Sequence, residues 1–444
     1  MRRRRAYALA VLVTLPLMPG KLLHANTASC ESRLIVKPRN PEEFADLLQK
    51  VTRDKGLPLP HLREIGGLGK FLIETATPRQ STRLQDALEF YLPSELESIR
   101  RDVQLRLDAI PNDKKWPQWN LEKIGAPSAW DSMTDSSAIV VAVLDSGVDA
   151  AHDDLRPNLW RAPAGFTVKV KGRTIICNAG DVGFDAIDGD CVPQHDDLHG
   201  THVAGIIGAV GNNDLGVTGV SWRATVMPIR IFEKRGNKVI GCAADAIEAL
   251  EFVREAKRAY PAVANIRVVN ASWGSKDESP DLRAEIERVV ADNILFVTTA
   301  GNDSANIDQN ANKYYPASWT LTIPEIIPVA ASSLYDKRFS QSSYGPHTIP
   351  LAAPGVLILS TVPGSKFRAE KGTSMAAAHV SGAAALLIAT CATNTTDTKR
   401  YLLDYAEEIP ALEPFVEQGR RLCVDLPIAA CRADLAKAPV PVPD

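Results

Sequence analysis

Hydrophobic positions follow two regimes along this chain. From Trp116 onward, short and nearly unbroken aliphatic runs at 138–144, 224–229, 266–270 and 294–298 alternate with stretches of helical period at 202–209, 242–259 and 280–291. Runs this apolar leave no face for solvent, so they predict strands of a mostly parallel sheet covered by helices on both sides. In such sheets functional groups gather beyond the carboxyl ends of the strands. From 31 to 111 the chain is charged and glycine-poor. Alternating segments at 33–36 and 70–74, a strand-like piece at 103–107 and amphipathic runs at 41–50 and 81–92 predict a small α+β unit. The polar stretch 112–115 reads as an exposed linker. The large domain then runs from 116 to 437, closed by a helix near 398–409 and a strand near 419–424, and the Pro/Val-rich tail 438–444 reads as disordered.

Composition narrows the class. The chain has 444 residues, 45% of them hydrophobic, with a formal charge of −3. Length and apolar content suffice for a large core, and the even spread of basic residues argues against a nucleic-acid partner. Residues 1–28 begin with four arginines and continue through a short apolar run to small residues, the layout of a secretory signal peptide. Export follows, to the extracellular space or the periplasm, with lipid anchoring through Cys30 as the lesser reading. Seven cysteines then meet an oxidising compartment, and Cys177 with Cys191 is the most local pair. No CxxC occurs, which disfavours a zinc site.

Three polar groups stand at the edges of apolar elements. Asp145 ends the first aliphatic run, His199 opens a helix of small residues, and Ser374 follows Gly372 at the head of a long apolar helix. Singly, these are a turn former, a helix cap and an N-cap. Together they are a carboxylate, a base and a hydroxyl. A serine hydroxyl is a poor nucleophile until a base lies within hydrogen-bond reach, and that base needs a carboxylate to fix its tautomer. The helix N-terminus beside Ser374 favours a developing oxyanion.

The residues around these groups make the family plain. Val143-Leu144-Asp145-Ser146-Gly147, His199-Gly200-Thr201-His202 and Gly372-Thr373-Ser374-Met375-Ala376 resemble, in order, the aspartate, histidine and serine motifs of the subtilisin-like (subtilase) serine peptidases. The resemblance runs on through Ala300-Gly301-Asn302, Tyr315-Pro316-Ala317 and Ala353-Pro354-Gly355. It implies a subtilisin-like three-layer α/β fold preceded by an α+β inhibitory propeptide at 31–111, cut near 108–116. It also implies a secreted, monomeric endopeptidase made as a self-processing zymogen, acting on polypeptides with Asp145, His199 and Ser374 as the triad and Asn302 at the oxyanion.

By the same resemblance Ser272, Trp273 and Gly274 form one wall of the substrate cleft, and Arg230 and Phe232 the opposing edge. Tyr314 stands where the family often has a small residue, which implies a reduced first specificity pocket. A structural Ca²⁺ is implied at Asp154, Asn213, Leu215 and Val217, without a counterpart for the usual N-terminal ligand. The acidic loop 181–197 reads as solvated, with a second ion site as the lesser reading, and the H-x-x-H spacing of His199 and His202 lacks the glutamate of a zinc peptidase. Ala378 replaces the family's proline four residues after the nucleophile, a loosening that leaves a transpeptidase variant open. An α/β-hydrolase esterase would need the order Ser, Asp, His. A non-catalytic subtilase-like binding protein would usually have lost a member of the triad, and none is lost here.

Overall fold

A computed structural model describes residues 32–437 apart from 67–68, 103–108, 171 and 262–263, and the chain divides into two units, 1–107 and 108–444. The leader at 1–28, Cys30, the strand-like piece at 103–107 and the tail at 438–444 lie outside the described residues.

In the first unit, β1 (Arg33–Pro38), β2 (His61–Ile65), β3 (Lys70–Glu74) and β4 (Leu96–Arg101) form an antiparallel sheet in the order β2-β3-β1-β4. Helices α1 (Pro41–Asp54) and α2 (Pro78–Tyr91) each begin with proline after a capping side chain, Asn40 and Thr77 respectively. Their buried Phe44, Leu48, Leu84 and Leu88 meet Leu34, Val36 and Ile73 of the sheet. The α+β reading of this unit thus matches the fold. β2 escaped notice because it has no buried residue and so no apolar alternation.

In the second unit α3 (Trp119–Lys123) and α4 (Ala126–Trp130) lead into β5 (Asp135–Asp145). A hairpin of β6 (Phe166–Val170) and β7 (Arg173–Cys177), then β8 (Phe184–Asp185), precede α5 (His199–Gly208) and β9 (Arg223–Arg230). A second hairpin, β10 (Phe232–Arg235) with β11 (Lys238–Gly241), leads to α6 (Ala243–Ala259), β12 (Ile266–Ala271), α7 (Pro280–Ala291) and β13 (Leu295–Thr299). Then come β14 (Ile326–Ser332), β15 (Leu351–Pro354), the hairpin β16 (Ile358–Val362) and β17 (Lys366–Glu370), and α8 (Thr373–Cys391). The chain closes with α9 (Thr395–Asp404), β18 (Glu407–Glu408), β19 (Arg420–Arg421) and α10 (Asp425–Lys437).

Nine strands form one sheet in the order β18-β19-β15-β14-β13-β12-β5-β9-β8, parallel throughout except for the β18–β19 pair. Alternation in β5 builds both layers around it. Val141 and Val143 face the core shared with α5 and α8, while Val140, Ala142 and Leu144 face the core shared with α6 and α7. The result is the three-layer α/β architecture expected. Helix α8 is apolar on all sides and buried from Thr373 to Ile388, the mark of a central helix in a large core. Two disulfides, Cys177–Cys191 and Cys391–Cys431, tie the hairpin β6–β7 to the loop after β8 and α8 to α10.

Candidate active site

Asp145 is the last residue of β5 and His199 the first of α5, so the sheet and a helix start bring them together. His199 Nδ1 donates to the Asp145 carboxylate, at 2.9 Å to Oδ1 and 3.0 Å to Oδ2. A carboxylate can only accept, so the proton rests on Nδ1 and Nε2 keeps its lone pair. The Ser146 N–H also donates to Asp145 Oδ1 at 2.8 Å, and Asp197 accepts from the His199 N–H at 2.9 Å. Gly200 permits this approach, since a Cβ there would lie 2.1 Å from the Gly147 carbonyl oxygen. Burial of the His199 ring disfavours its charged form. The Asp145 charge and hydrogen bond, with Asp197 and Glu370, outweigh that effect and hold its pKa above the usual value.

Ser374 lies in the first turn of α8, behind Gly372 at φ 144°, a backbone conformation that favours glycine. Its Oγ donates to the Ser272 carbonyl at 3.2 Å, and Ser272 Oγ donates in return to the Ser374 carbonyl at 3.0 Å. The serine must leave this bond to pass its proton to an imidazole, a tightening ordinary for sites without substrate. Asn302 lies just beyond β13. Its Oδ1 accepts from the Thr373 N–H at 3.0 Å and the Thr373 hydroxyl at 3.1 Å. The backbone N–H can only donate, so the amide orientation is forced and Nδ2 is the end left to donate elsewhere.

Two neighbouring cavities, each of about 240 Å³, share Phe232 and Trp273. One is lined by Asp145, His199, Val239 and Ser272, the other by Gly241, Gly274, Leu282 and Trp319 among others. Trp273 is anchored by its Nε1–H, which donates to the Leu144 carbonyl at 2.9 Å. Phe232 and Trp273 thus line both cavities, Ser272 the first and Gly274 the second. Arg230 does not join them and is a correction to the expected edge. Its side chain is buried and paired with Asp185 at 2.8 Å, Asp188 at 3.0 Å and Asp196 at 2.6 Å. The same contacts correct the solvated reading of the acidic loop, because burying a cation demands carboxylate partners. Tyr314 lies against both Gly274 and Gly301, and burial pushes its phenol up to about 12.

A subtilase family profile matches residues 136–411. Thermitase of Thermoactinomyces vulgaris is 30% identical over 312 residues, which cover 70% of this chain and 96% of that enzyme. An intracellular serine protease of Paenibacillus polymyxa is 33% identical over 60% of this chain and 71% of its own. A solved protease structure from Pseudoalteromonas arctica superposes with a TM-score of 0.59 at 27% identity, covering 73% of this chain and all of that one. The chain belongs to the subtilase family. It is a serine endopeptidase of that family.

The subtilase has a second polar assembly around Asp154. That carboxylate is fully buried and accepts from Asn213 Nδ2 at 2.7 Å and from the Val217 N–H at 3.0 Å. Asn213 Oδ1 accepts from the Leu215 N–H at 2.9 Å. Asp113, which the sequence reading placed in an exposed linker, is buried beside this loop. Its Oδ2 accepts from the Asn212 N–H at 2.8 Å, and the N–H groups of Lys114 and Lys115 donate to the Leu215 and Gly216 carbonyls at 3.0 and 2.8 Å. Asp113 Oδ1 is buried without a hydrogen-bond partner. Burial raises the pKa of both carboxyls, and the Asp154 charge raises that of Asp113 further. A buried oxygen without a donor among oxygen-rich neighbours fits a hard cation. No set of three or more His, Cys, Asp or Glu side chains suited to a metal occurs among the described residues, so such a site relies on backbone and amide oxygens as well.

His202 is structural in the subtilase. Its Nε2 donates to the Ile358 and Arg368 carbonyls at 3.0 Å each, and burial lowers its pKa to about 4. Ala378 is fully buried within α8.

Proposed function

We propose that this protein is an exported serine endopeptidase made as a self-processing precursor, with Ser374 as nucleophile, His199 as general base and then acid, and Asp145 as the group that orients His199. The observation that carries this reading is the hydrogen bond from His199 Nδ1 to Asp145, which leaves the Nε2 lone pair able to accept a proton. Ser374 Oγ attacks the peptide carbonyl as its proton passes to Nε2, and Asp145 stabilises the imidazolium without taking the proton. The oxyanion accepts from Asn302 Nδ2 and the Ser374 N–H. The imidazolium then protonates the departing amine, and water repeats the sequence on the acyl-enzyme. Substrate lies extended along Ser272, Trp273 and Gly274 with Phe232 opposite, a mode that recognises backbone before side chain.

The basic and apolar leader and the two disulfides support export. Family membership alone does not decide compartment, since one relative is named intracellular. The unit before 108 is the candidate propeptide. Ca²⁺ would be held by Asp154, Asn213, the carbonyls of Leu215 and Val217, and Asp113, where it would neutralise two buried carboxylates. The fully processed enzyme is expected to hydrolyse an unfolded polypeptide, with Ser374→Ala reducing turnover by about 10⁶, the magnitude known from subtilisin itself. Equal hydrolysis by wild type and Ser374→Ala would remove the proposal.

A further inference from the structure

The acyl group that reacts at Ser374 must sit between two backbone segments. Ser374 Oγ is 3.2 Å from the Ser272 carbonyl on one side, and Asn302 is hydrogen-bonded to Thr373 on the other. These segments follow β12 and β13, adjacent parallel strands paired Ala271 to Thr298. With the oxyanion directed at Asn302 and the leaving group at His199, the side chain of the residue that donates the carbonyl enters the slot between the segments 272–274 and 300–302. A flat side chain stacking between two glycine-bearing walls would be the natural large occupant of such a slot.

The protein's own tyrosine stands there. A Cβ built on Gly274 would lie 2.5 Å from Tyr314 Cε1 and 2.7 Å from Cζ. One built on Gly301 would lie 3.3 Å from Cδ1 and Cε1 of the same ring. One phenol therefore touches both walls; a side chain at 274 would clash with it, and one at 301 would press on it. The ring is held from below. The Tyr314 N–H donates to Ser318 Oγ at 3.0 Å, and Ser275 and Tyr315 exchange backbone hydrogen bonds at 2.8 Å each, which fixes the chain under the ring to the first wall. Lys276 Nζ lies 2.9 Å from Asp303 Oδ2 and joins the residues just beyond the two walls. That ion pair is exposed and weak, so the ring, not the pair, sets the depth.

We propose that Tyr314 fills the slot for the residue preceding the cleaved bond (P1), and that this subtilase therefore cleaves after glycine, alanine or serine and rejects leucine and phenylalanine. The inference rests on the peptidase reading above. Removing occupied volume from a hydrophobic pocket is worth roughly 10–200-fold per methylene in discrimination, so the preference for alanine over phenylalanine should reach at least about tenfold. The test is kcat/KM of the processed enzyme on a peptide series varied only at P1, with rates normalised to sites titrated by a small fluorophosphonate so that misfolded molecules do not count. Wild type should prefer alanine, and both Tyr314→Gly and Tyr314→Ser should raise the phenylalanine-to-alanine ratio at least about tenfold. Phenylalanine or leucine favoured by wild type, or an unchanged ratio in both variants, overturns the plug while leaving the peptidase reading intact. No cleavage of any peptide and no titratable serine overturns that reading, and the inference with it.

Discussion

His199 carries most of the chemistry, and its surroundings set its pH range. Asp145→Asn would keep the shape but let the amide donate to Nδ1, placing the proton on the wrong nitrogen; a fall in kcat of about 10⁴ is expected from kinetic comparison with wild type. Asn302→Ala would remove an oxyanion donor and lower kcat by roughly 10²–10³ with little change in KM, a reference magnitude set by subtilisin. The His199 pKa is raised, so the acidic limb of kcat/KM should lie above the usual imidazole value. The sign for stability is opposite. A raised folded-state pKa contributes stability below the unfolded value and loses it as pH rises through the folded value, the window in which activity appears. A pH–rate limb below the usual value would contradict this account. Asp145, His199 and Ser374 were legible in the sequence because each sits in a short glycine-bearing motif, and backbone crowding demands two of those glycines: a Cβ on Gly147 would lie 1.6 Å from the Gln194 carbonyl oxygen and one on Gly200 2.1 Å from that of Gly147. Arg230 was misread because nothing local shows that three aspartates, 34 to 45 residues away, converge on it.

At the scale of elements, the strands were legible where burial on both faces leaves an uninterrupted aliphatic run. The expected 138–144, 224–229, 266–270 and 294–298 fall within or overlap β5, β9, β12 and β13. The hairpin strands β11 and β17 were not legible. β11 is exposed at every position and β17 at most, so no apolar period marks them. Asp113 was hidden for another reason, since its partner loop lies about a hundred residues on and a short Asn-Asp-Lys-Lys stretch looks like solvent-facing chain. The cradle yields a prediction with opposite signs. Because burial raises both carboxyl pKa values, with the Asp154 charge adding to the rise at Asp113, the apo protein should lose stability as pH rises from the ordinary carboxylate range through the raised values. Chelator should then lower Tm near neutral pH. Asp113→Asn, measured by calorimetry, should raise Tm in chelator yet shrink the gain from added Ca²⁺. A variant that lowers Tm equally in both conditions would count against the cradle.

For the whole molecule, a small antiparallel α+β unit precedes a large parallel α/β unit, the order expected of the proposed self-processing precursor. Processing is expected within 108–116, where the small unit gives way to the large one. Incubated precursor should therefore acquire a new N-terminus there, read by sequencing, and Ser374→Ala precursor should stay intact. The central claim is that Ser374 is made nucleophilic by His199. The most direct measurement is the rate at which a fluorophosphonate modifies the processed enzyme, with the modified residue located by mass spectrometry. The account predicts modification at Ser374 alone, rising with pH as His199 loses its proton, and nearly abolished in His199→Ala. Modification at another residue, or an undiminished rate in His199→Ala, would contradict it.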